Sequence, residues 1–139
     1  MYAGGRIGAV GAVAVSTDRG ASWGQTAAAP ADTVTGILVH PTDPARVLVA
    51  TSGGVWGTTD AGGTWSRLWT GRGLRSLAGH PLGPDTLLVA GSDGVWKSTN
   101  GGANWAEMNG GLGVRSVNCL AFGGPGRATL FAGTAGGAV

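Results

Sequence analysis

The chain is expected to be all-β, built from four-stranded units that recur about every 40 residues. Three observations predict this. Gly makes up 29 of 139 residues, about three times its usual share, and lies in short clusters between runs rich in Val, Leu, Thr and Trp. An octet recurs three times, with key positions 60 − 18 = 42 and 100 − 60 = 40 residues apart. Between octets the apolar runs are four to seven residues long and end at Gly, Pro or Asp, which is the pattern of strands joined by tight turns. Four strands in about 40 residues is the arithmetic of a β-propeller blade. No stretch of 11 residues free of Gly and Pro shows a 3.6-residue period, so helices are disfavoured.

The second unit defines the strands, lettered A to D in chain order. Strand A is expected near 34–40, B near 46–51, C near 54–59 and D near 64–69. The turns are Pro41-Thr42-Asp43-Pro44, Ser52-Gly53 and the octet. Leu48-Val49-Ala50-Thr51-Ser52-Gly53-Gly54-Val55-Trp56 matches Leu88-Val89-Ala90-Gly91-Ser92-Asp93-Gly94-Val95-Trp96, and His40-Pro41 matches His80-Pro81. A fourth copy begins where Leu130-Phe131-Ala132-Gly133 repeats Leu88-Val89-Ala90-Gly91. Along the chain, residues 1–32 then supply strands B, C and D of a first blade, with Tyr2-Ala3-Gly4 ending B and Ala12 to Ser16 forming C. Residues 33–70 form a second blade, 73–109 a third, and 112–139 strands A and B of an unfinished one, with A at Val114–Phe122 and B at Thr129–Gly133.

The octets are Ser16-Thr17-Asp18-Arg19-Gly20-Ala21-Ser22-Trp23, Thr58-Thr59-Asp60-Ala61-Gly62-Gly63-Thr64-Trp65 and Ser98-Thr99-Asn100-Gly101-Gly102-Ala103-Asn104-Trp105. Each joins strands C and D. The Asp or Asn side chain can accept hydrogen bonds from backbone N–H groups just ahead, and the Ser or Thr can add a local bond. Gly20, Gly62 and Gly102 admit a positive φ. The Trp opens strand D as an apolar anchor. These Asp residues therefore read as structural rather than catalytic. With one carboxylate per turn they do not make a calcium site, which wants six to eight oxygens.

Ser/Thr-x-Asp-x-Gly-x-x-Trp resembles the Asp-box, or BNR repeat, of sialidases, sortilin-type receptors, xyloglucan-degrading hydrolases and the photosystem II assembly-factor family. The third copy departs from it at Asn100. The resemblance implies a propeller or propeller fragment of about three four-stranded blades. It also implies an extracellular or periplasmic setting, although no signal peptide is visible at the N-terminus. Three blades do not close a comfortable ring. The chain is thus expected to belong to a longer propeller, or to pair its terminal half-blades with those of further copies of itself.

Net charge is +2 with no Lys/Arg run, so no nucleic-acid partner is expected. No apolar run approaches a membrane span. Cys119, the lone cysteine, is expected as a small buried hydrophobe. His40 and His80 occupy matching positions and read as turn residues. Asp43 and Asp85 fall in A–B turns and Asp93 in a B–C turn. Together with Asp32 they are the only Asp residues outside the octets. A sialidase constellation is not visible, because Tyr2 at the chain start and Glu107 on an outer strand are the sole Tyr and Glu. Catalytic residues, metal ligands and cofactors are therefore not assigned.

Binding residues are. Arg75 and Arg115 stand 40 apart in Gly-Leu-Arg-Ser-Leu and Gly-Val-Arg-Ser-Val, at the head of innermost strands, and Arg72 is close by. The resemblance to the assembly-factor family makes a basic patch of this kind conceivable. Trp23, Trp65 and Trp105 match in strand D, and Trp56 and Trp96 in strand C, which argues for packing between blades. Trp69 has no equivalent and is the candidate exposed aromatic contact. The reading is a non-catalytic scaffold for a protein partner, with a glycan as a further possible ligand. The alternative is a segment of a sialidase-like or xyloglucanase-like glycoside hydrolase.

Overall fold

The structure, a computed structural model, describes residues 1–7, 10–26, 30–124, 126, 129–134 and 136. Among these residues thirteen strands form four antiparallel sheets in chain order. The first holds β1 (Tyr2–Ile7), β2 (Val10–Val15) and β3 (Gly24–Gln25). The second holds β4 (Val34–Val39), β5 (Val47–Thr51), β6 (Gly54–Thr58) and β7 (Ser66–Thr70). The third holds β8 (Leu74–His80), β9 (Gly83–Gly91), β10 (Gly94–Ser98) and β11 (Ala106–Glu107). The fourth holds β12 (Val117–Gly123) and β13 (Thr129–Thr134). Each sheet is an up-and-down meander, and the strands that open the later sheets, β4, β8 and β12, pack side by side. No helix of the described residues is long and apolar enough to cross a membrane.

Alternation along these strands puts apolar side chains on both faces, so the core lies between sheets. Val13, Val34 and Val49 close the first junction, with Trp56 and Trp65 against them. Ala50, Val55, Leu74 and Val89 close the second, with Trp69, Trp96 and Trp105. Leu88, Ala90, Val95 and Val117 close the third, with Leu120, Phe122 and Leu130.

An antiparallel meander sorts its turns. The A–B turns and the octets leave at one end, and the B–C turns and sheet-to-sheet connections at the other.

Several expected details shift. The Trp of each octet precedes strand D by one residue instead of opening it. Asp85 lies inside β9, not in a turn. β12 begins at Val117, three residues after Val114. Val34, Leu74 and Val117 each open an inner strand and are followed by a bulge, pairing with Thr51, Gly91 and Thr134. Spacing is therefore 74 − 34 = 40, then 117 − 74 = 43. In this register Asn118, and not Arg115, takes the place of Arg75. Phe131, paired with Ala121, likewise takes the place of Leu88, paired with Ala78. A one-residue slip exchanges the two faces of a strand. Phe131 consequently stands 57% exposed on the face turned away from the third sheet. Cys119 is exposed rather than buried, because the bulge after Val117 carries it to that same face.

Candidate functional site

The three octets share one hydrogen-bond scheme. In the second, Thr58 Oγ1 donates to Asp60 Oδ1 at 2.6 Å and accepts from Gly62 N at 3.0 Å. Asp60 Oδ1 also accepts from Thr64 N at 2.8 Å, and Oδ2 from Thr64 Oγ1 at 2.8 Å. Asp18 is held the same way by Ser16 and Ser22. Asn100 Oδ1 accepts from Asn104 N at 2.9 Å and from Ser98 Oγ at 3.0 Å. Donors favour the ionised carboxyl. The Thr58 hydroxyl, then the Thr64 N–H and hydroxyl, lower the Asp60 pKa to about 2. The Ser22 hydroxyl and N–H, then the Ser16 hydroxyl, hold Asp18 well below the usual carboxylate range. A carboxylate so depressed and so fully bonded is a turn clamp, poorly suited to moving protons near neutral pH.

Gly20, Gly62 and Gly102 adopt φ of 92°, 95° and 95°. The residue before each is also left-handed: Arg19 at 61°, Ala61 at 58° and Gly101 at 68°. The turn thus needs two left-handed residues, and only the third copy has Gly at both. A Cβ on Gly62 would meet Thr26 Cγ2 at 2.6 Å, and one on Gly102 would meet Leu68 Cδ1 at 3.2 Å. The second glycine therefore also lets the second and third octets seat against the outer edge of the preceding sheet.

The anchoring Trp side chains differ. Trp105 Nε1 donates to Gly102 O at 2.9 Å. Trp65 Nε1 is buried without a partner among the described residues. Trp23 is 45% exposed on the first sheet.

At the opposite end a cleft of about 300 Å³ opens between the second and third sheets. Trp69 lines it from β7, Arg72 from the connection between those sheets, and Asp93 and Trp96 from the third. Trp69 is half-buried rather than free. Its ring lies 5.3 Å from Trp96 and 5.4 Å from Trp105, tilted on both. Pairing of Val55 with Trp69, after a bulge, carries the ring onto the facing sheet. It forms part of the junction and one wall of the cleft, and is not the exposed contact expected of it.

The arginines part company. Arg75, exposed near the start of β8, donates through Nη1 to Ser116 Oγ at 2.8 Å and Asn118 Oδ1 at 3.1 Å, so it bridges to the next inner strand. Both acceptors are neutral, and its charge is uncompensated by them. Arg115 lies before β12 and pairs with Glu107 at 2.9 Å. Arg72 is exposed and makes no ion pair among the described residues. The remaining carboxylates here differ as well: Asp32 pairs with Arg67 at 3.4 Å, while Asp93 lines the cleft.

Sequence reasoning missed Asn109. Its Oδ1 accepts from Val95 N at 2.8 Å, and its Nδ2 donates to Asp93 O at 3.1 Å and Glu107 Oε1 at 2.6 Å. A side chain here stands in for the missing end of an outer strand. Its place in the repeat, where the second unit has Trp69, was the available sign.

Four consecutive sheets, meander topology and the octet clamps define the class: an Asp-box β-propeller segment. The family model Sortilin-Vps10, described as "Sortilin, neurotensin receptor 3", matches residues 11–121, and the chain belongs to that family. Among solved structures it is similar to an ancestral GH74 enzyme, with a TM-score of 0.72 and 21% identity, over 87% of this chain and 18% of that one. It is also similar to the GH74 xyloglucanase from Xanthomonas campestris, with a TM-score of 0.65 and 16% identity, over 81% of this chain and 21% of that one. The chain thus spans about a fifth of the length of these structures. The search of curated proteins gives no match.

Proposed function

We propose that the chain is a non-catalytic binding segment of a propeller, and that it holds a carboxylate-rich protein surface or peptide at the end bearing Trp69, Arg72, Arg75 and Arg115. The observation that carries this is Arg75. Its guanidinium is held across two inner strands by neutral acceptors, so its position is fixed while its charge stays available. Arg72 beside it adds a second exposed positive charge at the cleft. Positive groups at a concave surface attract acidic partners and speed their encounter.

The carboxylates lend support. Asp18 and Asp60 are locked in turns at the other end, Asp32 is paired with Arg67, and Glu107 is shared by Arg115 and Asn109. A glycosidase needs two carboxyl groups flanking one bond. A second reading, a segment of a glycoside hydrolase, draws on the likeness to the two GH74 structures, with Asp93 as its candidate carboxylate.

A binding assay with a Glu-rich peptide tests the first reading. Binding should weaken at least about tenfold on Arg75→Glu, a loss of about 1.4 kcal/mol, and be unchanged on Arg19→Glu at the opposite end. Equal effects of the two changes would refute the assignment. Turnover of xyloglucan or a sialoside that is lost on Asp93→Asn would establish the second reading instead.

A further inference from the structure

Between the second and third sheets, at the Asp-box end, lies a groove of about 460 Å³. Two glycines, Gly57 of β6 and Gly79 of β8, lie in its lining, with leucine side chains packed against them. A Cβ on Gly57 would meet Leu68 Cδ1 at 2.9 Å and Leu48 Cδ2 at 3.2 Å. One on Gly79 would meet Leu38 Cδ2 at 2.9 Å. Leu48 and Leu68 flank Gly57 within its own sheet, and Leu38 meets Gly79 from across the junction.

Register identifies their counterparts at the neighbouring junctions. Gly57 immediately precedes the octet residue Thr58, as Val15 precedes Ser16 and Lys97 precedes Ser98. Gly79 pairs with Leu87, as Val39 pairs with Val47 and Phe122 with Leu130. The first junction therefore carries Val15 and Val39 at these places, and the third carries Lys97 and Phe122. Phe122 packs into the third core cluster. The second junction has glycine at both places, and leucines of the second sheet fill the space beside them.

Its walls are leucines, its mouth is basic. Leu38, Leu48, Leu68 and Leu87 form the walls, and His40 and Arg46 stand at one end. Arg46 Nη1 lies 3.5 Å from His40 Nε2. Arg46 Nη2 lies 3.6 Å from Asp85 Oδ1, with the side chains 41% and 57% exposed. An ion pair this long and this wet contributes little. The guanidinium, with five donors, can exchange Asp85 for a second carboxylate and grip it with two N–H groups. The His80 ring is packed edge-on against Phe122 at 5.0 Å.

We propose that this groove binds a small molecule with an aliphatic body and a single carboxylate, the body between the leucines and the carboxylate on Arg46. A volume of this size falls in the range of small-molecule sites, about 300–1,000 Å³. The site is separate from the cleft at the other end and independent of what is bound there.

Titration calorimetry and thermal melting of the whole chain with decanoate test the proposal, with decanol in parallel. Decanoate should bind at one site and raise the melting temperature. Arg46→Gln should weaken decanoate at least about tenfold and leave decanol unchanged. Gly57→Val and, separately, Gly79→Val should abolish decanoate binding by driving the adjoining leucines into the groove. Neither glycine has a positive φ, and the atoms in the way belong to flexible leucines. If either valine variant fails to fold, the other and Arg46→Gln still decide. Absence of decanoate binding to the unaltered chain would overturn the proposal. So would equal binding to a folded valine variant, or an equal effect of Arg46→Gln on acid and alcohol.

Discussion

The second and third sheets have nearly the same B–C hairpin and the same octet scheme, yet they end differently. β7 runs for five residues and delivers Trp69 to the junction, whereas β11 runs for two and stops. Where β7 continues, Val55 pairs with Trp69 and Gly54 with Thr70. Where β11 stops, Met108 N donates to Val95 O and Asn109 supplies the acceptor for Val95 N. Backbone hydrogen-bonding demand is met in both, once by strand and once by side chain. The lesson is that the repeat conserves its demand for hydrogen bonds and its junction contacts, and leaves the outer strand free to vary.

The largest test of this contrast is truncation at the two differing places. Trp69→Ala removes a ring stacked against two others and should cost about 3 kcal/mol, near the lower figure for aromatic truncation in a core because the ring is only half-buried. Asn109→Ala leaves the Val95 N–H without its acceptor and should cost about 1–2 kcal/mol. Urea unfolding followed by Trp fluorescence gives both values. A greater loss for Asn109→Ala would mean that the side-chain bridge within the third sheet outweighs the aromatic contacts at the junction.

A smaller effect separates the octets. Asp60 has its pKa lowered from 3.8 to about 2 in the folded chain, so its clamp stabilises fully above pH 4. That contribution fades as the pH falls toward 2 and the folded carboxyl takes up its proton. Asn100 has no such titration. Asp60→Asn should therefore flatten the decline of melting temperature between pH 4 and pH 2, with Asp18 accounting for the part that remains. Parallel curves for the two proteins would show that Asp60 is not the acid-sensitive clamp.

The smallest effect concerns the backbone. Ala61 sits at φ 58° where the third octet has Gly101 at 68°. A left-handed conformation costs an L-residue about 1–2 kcal/mol, and Gly returns roughly half of that gain through its freer unfolded chain. Ala61→Gly should then stabilise by about 0.5 kcal/mol, and Gly101→Ala should destabilise by a similar amount. Opposite signs in thermal melting would contradict the two-residue left-handed turn.

Much of the architecture was legible because it is written in short, repeated chemistry. Ser16, Asp18 and Gly20 and their two sets of counterparts sit at fixed offsets, and a turn closed by local hydrogen bonds needs nothing distant. Register was less legible. The likeness of Gly-Leu-Arg-Ser-Leu to Gly-Val-Arg-Ser-Val suggested that Arg75 and Arg115 were equivalent. Pairing instead follows burial of Val117 beneath Leu88 and Ala90, which moves the fourth unit to a spacing of 43. The same displacement explains why Phe131 and Cys119 are exposed, because each strand face is decided by the next sheet and not by local composition. Trp69 was misjudged for a related reason: its partners, Trp96 and Trp105, lie in another repeat, and a bulge aims it at them. The place of Arg72, Arg75 and Arg115 near the connections that lead into inner strands was readable from the sequence. The neutral bridge from Arg75 to Ser116 and Asn118 required the structure.

Amide hydrogen exchange of the chain, free and saturated with a Glu-rich peptide, tests the central claim most directly, because it reports which end the peptide covers. The account predicts slower exchange around Arg72 to Ser76 and Asp93 to Trp96, with the octet amides of Gly62, Thr64, Gly102 and Asn104 unchanged. Protection centred on the octets, with none at Arg75, would contradict it.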